Sequence, residues 1–147
     1  MRKIDLIVIH CSASRADRDF TETDLEVCQR RRGFNGIGYH FYIRKNGDIK
    51  TTRPIERIGA HAKGFNRTSI GICYEGGLDC HGRPADTRTE WQVHSMHVLV
   101  LTLLRDYPGC RVCGHRDLSP DLNGNGEIEP EEWVKACPCF DAEKEWA

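Results

Sequence analysis

Three short stretches carry side chains able to hold a metal ion. They are "KIDLIVIHC", ending in His10 and Cys11; "CRVCGHRD", with Cys110, Cys113 and His115; and "VKACPCFD", with Lys135, Cys137 and Cys139. On a strand, successive side chains point to opposite faces, so Val8 and His10 share one side and Ile9 and Cys11 the other. Cys11 is thereby left to the core. The same alternation puts Cys113 and His115 on one face, with His115 nearest the strand's end. An extended Lys135–Cys137 segment projects Lys135 and Cys137 together. Two imidazoles, one thiolate and a vacant fourth corner form the donor set of a catalytic zinc site. Two other readings of these residues stay open at this point. Cys110, Cys113, Cys137 and Cys139 have the count for a closed four-thiolate site, although C-x-C is tighter than the usual knuckle and the histidines are left idle. "CRVC" also has thiol-redox spacing, but on a strand rather than at a helix start that would activate it.

A second metal pattern lies between His115 and Cys137. In "DLNGNGEIEPEEW", Asp121, Asn123, Asn125, Gly126 and Glu132 match the spacing of an EF-hand-like calcium loop, with Ile128 at its apolar position. Their side-chain oxygens and the backbone carbonyl of Glu127 suit a hard cation, and Gly126 permits the sharp turn. A flanking helix before the loop is missing, and a short helix is expected at Trp133. The plain alternative is an Asn/Gly-rich turn.

The elements that must position these residues are legible from pattern. "KIDLIVIHC" and "TSIGICYEGG" are nearly continuous apolar runs, as in strands buried on both faces. "TETDLEVCQRRRG" has threonines before acidic residues and stops at Gly33, which predicts a first helix. "GYHFYIRKNGDIKTTR" alternates around Asn46-Gly47 and predicts a hairpin. "TRTEWQVHSMHVLVLTLLRDYPG" has Thr89 and Gln92 at capping-box spacing and predicts a long helix ending at Pro-Gly. A last strand in "CRVCGHRD" and a short helix after Phe140 complete the set. Strands interleaved with helices predict a single α/β domain, residues 1–147, on a central mixed β-sheet flanked by helices, with the EF-hand-like loop 121–132 inserted in it.

Composition narrows the function classes. With 39% hydrophobic and 29% charged residues, the 147-residue chain can bury one sizeable core. A formal net charge of -1 gives no field for polyanions, and "QRRR" (Gln29 to Arg32) reads as a solvated helix end, so no nucleic-acid partner is expected. Asp5 and His10 cut the first apolar run below the length of a signal segment. "MHVLVLTLL" is far short of a membrane span. The expectation is a monomer made in the cytoplasm without a signal peptide or membrane insertion, its eight cysteines reduced.

"VIHCSAS", "GIGYHFYI", "GAHAKGFN", "SIGICYEGG", "GHRDLSPD" and "KACPCFD" follow one another across nearly the whole chain. Together they closely resemble the phage-lysozyme type of zinc-dependent N-acetylmuramoyl-L-alanine amidase, grouped with the peptidoglycan recognition proteins. The resemblance implies that His10, His115 and Cys137 hold one zinc and that Tyr39 and Lys135 assist catalysis. The implied substrate is the amide joining the lactyl group of N-acetylmuramic acid to L-alanine in peptidoglycan. It also implies that the loop of His61 edges the substrate cleft, making His61 a substrate contact. His40 faces the opposite way from Tyr39 on a regular strand and is expected to be structural, while His81, His94 and His97 carry no motif. The insert 121–132 departs from the family pattern, and bound calcium there would stiffen the segment bearing Lys135 and Cys137. The alternative class is a recognition module that binds muropeptides without cutting them. Reaching a wall outside the membrane implies release by a holin or another secretion route.

Overall fold

The computed structural model describes residues 2–147. At its centre, β1 (Leu6–Cys11) and β5 (Ser69–Tyr74) are buried along their whole lengths. β1 pairs in parallel with β5 on one side and with β7 (Arg111–Gly114) on the other. β5 pairs in parallel with β3 (Phe41–Ile43), which turns back antiparallel to β4 (Ile49–Thr51). The order β4-β3-β5-β1-β7 is the expected mixed sheet. The expected hairpin is also present. Gly47, at φ 92°, donates to the Arg44 carbonyl at 2.8 Å, where the turn needs the left-handed conformation that glycine adopts without a steric penalty. A second parallel ribbon, β2 (Ser14–Arg15) with β6 (Gly77–Leu78), has strands of two residues, too short to show an alternation in sequence.

The two faces of the sheet differ in kind. Ile7, Ile9, Ile70, Ile72 and Tyr74 pack with Met96, Leu99, Val100 and Leu103 of α2 (Glu90–Asp106). Each such side chain contributes about 1.5–3 kcal/mol by leaving water. The Thr89–Gln92 capping box that starts α2 forms as expected. On the other face Leu6, Val8 and Cys113 cluster. There α1 (Glu22–Arg31) covers the sheet through Leu25, which packs with Ile37, Tyr42 and Cys73.

The chain's end is clamped to the aliphatic side. Arg88 lies 3.4 Å over the Phe140 ring and donates two 2.9 Å bonds to Glu145 of α3 (Ala142–Glu145). His97 Nε2 lies 2.7 Å from the same carboxylate, so this motif-free histidine is part of the clamp. The segment bearing Cys137 therefore leads directly into an anchored end. Among the described residues no helix is long and apolar enough to cross a membrane.

Candidate metal centre and cleft

β1 and β7 run in parallel, so both deliver their last residues to the same end of the sheet. His10 sits near the end of β1, 2% exposed. His115 lies one residue past β7, at the start of a 3-10 turn, His115–Leu118, rather than on the strand itself. Asp117 caps that turn by accepting from the Gly114 N–H at 2.7 Å. Cys137 arrives from a third direction. Its carbonyl accepts from Arg116 N at 2.8 Å, and its Sγ accepts from Cys11 N at 3.1 Å. The sulfur is thus fixed against both histidine-bearing segments.

The rings of His10 and His115 have centroids 4.7 Å apart. One ligand atom each from His10, His115 and Cys137 lies within 4.8 Å of the other two, and no other such group of three His, Cys, Asp or Glu side chains exists among the described residues. Burial holds His10 well below its ordinary pKa, with His61, His115 and Lys135 adding to it. Burial and then Lys135 lower His115. Both imidazoles are neutral at pH 7 and offer the lone pairs that metal binding needs. Cys11 stays a thiol, pushed up to about 12 by its hydrogen bond to Cys137 with burial adding to it, and packs in the aliphatic core. The four-thiolate alternative fails on placement: Cys113 packs with Leu6 and Val8, while Cys110 Sγ donates to the Ile4 carbonyl. Burial pushes Cys113 up to about 12 and raises Cys110, so "CRVC" holds no activated thiol. All eight cysteines are unpaired.

A cleft of about 540 Å³ opens over this cluster. Tyr39, its ring centroid 4.8 Å from that of His10, lines the cleft together with Lys135 and His61. Burial, with Cys73, Cys137 and Cys11 acting in the same direction, pushes the Tyr39 phenol well above its ordinary value. Its hydroxyl is therefore a hydrogen-bond donor at neutral pH. His40 is structural, as expected: it is buried, its Nδ1 accepts from Gly71 N at 3.0 Å, and its Nε2 donates to the Arg57 carbonyl at 2.8 Å. Past Lys135 the cleft continues between Phe65, Leu118 and Val134.

Two wall residues escape the sequence reading. Arg32, expected on a solvated helix end, lines the cleft beside Phe34, with its guanidinium 5.6 Å from that ring's centroid. Gly33, at φ 94°, turns the chain between them after α1. Nothing in "QRRRGF" alone says which way that turn faces.

Residues 1–138 match the Amidase_2 family, N-acetylmuramoyl-L-alanine amidase. The chain belongs to this family. It is 33% identical over 140 residues to the endolysin of Klebsiella phage KP32, across 95% of this chain and 83% of the relative. Among solved structures, N-acetylmuramoyl-L-alanine amidase LysC from Clostridium intestinale aligns with a TM-score of 0.72 and 27% identity, covering 99% of this chain and 83% of that one. A point mutant of Drosophila PGRP-LB in complex with tracheal cytotoxin shares the fold, with a TM-score of 0.71 at 22% identity over 99% of this chain and 80% of that one.

Within this amidase domain the segment Asp121–Glu132, expected as a calcium-loop insert, differs from that form. No helix follows it: Pro130–Glu132 is one 3-10 turn, and Trp133 is already extended. Its oxygens are engaged by its own backbone. Asp121 accepts from Gly124 N at 3.0 Å and Gly126 N at 2.8 Å, and Glu132 accepts from Leu122, Asn123 and Glu129 N–H groups. The base of the insert is closed by Arg116, 4.0 Å over the Trp133 ring, and by Val134 N donating to Ser119 Oγ at 3.1 Å. Neither this geometry nor the relatives support calcium. Side-chain-to-backbone bonds hold the turn closed.

Proposed function

We propose that the chain is a zinc-dependent peptidoglycan hydrolase that cuts the amide between the lactyl group of N-acetylmuramic acid and the L-alanine of the stem peptide. The observation that carries this reading is the convergence of His10, His115 and Cys137 at the floor of a cleft that also holds Tyr39 and Lys135. Two neutral imidazole nitrogens and one sulfur form a borderline-soft set suited to zinc rather than to magnesium or calcium. A zinc ion held there would lower the pKa of a water toward about 7 and would polarise the scissile carbonyl. The remaining work falls to the chain's own groups. Tyr39 donates a hydrogen bond, and the Lys135 ammonium brings positive charge to the place where the carbonyl oxygen gains negative charge.

The test is release of peptide from purified peptidoglycan alongside elemental analysis. The wild type should carry one zinc per chain and release peptide, and Cys137→Ser should lose both. Lys135→Ala should keep zinc while kcat falls by about 10²–10³, the usual loss when one oxyanion-stabilising group is removed. A zinc-loaded wild type that holds muropeptide and cuts nothing would overturn catalysis and leave the recognition reading.

A further inference from the structure

His10 Nε2 lies 2.8 Å from His61 Nδ1, a contact that no step above requires. The chain of contacts continues: His61 Nε2 lies 3.2 Å from the hydroxyl of Ser69, a fully buried residue on β5. Two arrangements of hydrogens satisfy both links with neutral rings, and one of them leaves His10 Nδ1 free to bind a metal. In that one, His10 Nε2–H donates to His61 Nδ1, and His61 Nε2–H donates to Ser69 Oγ. That tautomer leaves Nδ1 as the only lone pair on His10.

The ring of His61 also sits in a slot made for it. A Cβ at Gly59 would stand 2.7 Å from His61 Cδ2, and a Cβ at Gly71 would stand 2.7 Å from both Cδ2 and Cγ. Any side chain at either position would therefore displace the ring. Asn66 Oδ1 accepts from the N–H groups of both His61 and Ala62 at 2.9 Å, which pins the loop that carries the histidine. An exposed substrate-binding residue needs neither the glycine slot nor the onward bond to a buried serine.

We propose that His61 is a positioning residue: it fixes the ring of His10 so that Nδ1 faces His115 and Cys137, and it does not act by touching substrate. The proposal rests on the reading of those three residues as metal ligands. A partner on the far ring nitrogen sets both tautomer and orientation of a ligating histidine, and losing such a partner typically lowers metal affinity about 10–100-fold.

Two measurements test it. In metal-free wild-type protein, ¹⁵N NMR of the imidazoles should show His10 as the Nε2–H tautomer. In His61→Ala, and in His61→Phe, which keeps the slot filled, it should become a mixture. Competition with a chelator should show zinc affinity falling about 10–100-fold in both variants. The affinity should largely recover in His61→Asn, whose amide oxygen can accept in place of Nδ1. At saturating zinc, KM for a soluble muropeptide should stay at the wild-type value. An unchanged His10 tautomer and zinc affinity with a raised KM would overturn the proposal and make His61 a substrate contact. A wild type with the stated tautomer but no zinc binding would overturn the ligand assignment instead, so the two failures are told apart.

Discussion

Toward α2, β1 and β5 present Ile7, Ile9, Ile70 and Ile72, none of them exposed. Toward α1 and the cleft, the same two strands present His10, Gly71 and Cys73. A single step along either strand moves from one set to the other. The first face is aliphatic and carries the stability of the fold. The second buries imidazoles, which is tolerable only when they are neutral and hydrogen-bonded. His40 meets that condition through Gly71 and Arg57, and His10 through His61. Period-two alternation thus separates folding from chemistry within six-residue strands, and the rigid aliphatic side fixes where the reactive side chains stand.

That contrast can be broken most sharply at Ile72. Ile72→Ala should lower stability by about 2–5 kcal/mol, as for other large-to-small changes in a packed core. Its urea midpoint should fall while the zinc affinity of the folded fraction holds. Equal losses of affinity and stability would mean that the faces are not separable.

Acid should act on the other face. Burial holds His40 at about 4, with Arg2 and Arg53 helping, against about 6.5 in the unfolded chain. Between these values the unfolded chain binds a proton that the folded chain refuses. The stability contributed by neutral His40 is therefore complete above pH about 6.5 and is lost as pH falls toward about 4. The loss is at most about 1.4 kcal/mol per pH unit. His10, His61 and His115, also lowered by burial, add to this slope, which urea midpoints from pH 7 to pH 4.5 should show. His40→Asn, which keeps an acceptor for Gly71 N–H, should reduce it by one proton's share.

The smallest effect is expected in the insert, which belongs to neither face. Asn125→Ala should change stability by no more than about 0.5 kcal/mol, as for exposed positions generally. Adding calcium should leave its melting temperature and that of the wild type unmoved. A calcium-dependent rise in the wild type alone would restore a cation to this loop.

Much of this arrangement is legible in the residues themselves, because it depends on local pattern. The apolar runs around Val8 and Ile72, the Thr89–Gln92 box and the Asn46-Gly47 turn encode their own elements. Alternation alone separates His10 from Cys11. What is not legible depends on contacts across the chain. The link from His10 to His61 spans 51 positions and needs glycines at 59 and 71, whose contribution is an absence of side chain. Arg32 reaches the cleft only because of how α1 lies on Tyr42 and Cys73. The D-x-N-x-N-G string encodes a tight turn whose oxygens can serve a cation or backbone amides equally well, and spacing does not distinguish them.

The bond from Arg116 N to the Cys137 carbonyl pinches the chain at the root of the excursion that joins them. With its neck held shut, the excursion hangs off the catalytic body like a bead on a clasp, and its length is uncoupled from the spacing of His115 and Cys137. Doubling such a loop adds only about 0.6 kcal/mol of closure entropy. The tip of the excursion, beyond the Ser119–Val134 bond and away from Leu118, Val134 and Lys135 in the cleft wall, is where the polypeptide should accept a grafted epitope or reporter tag.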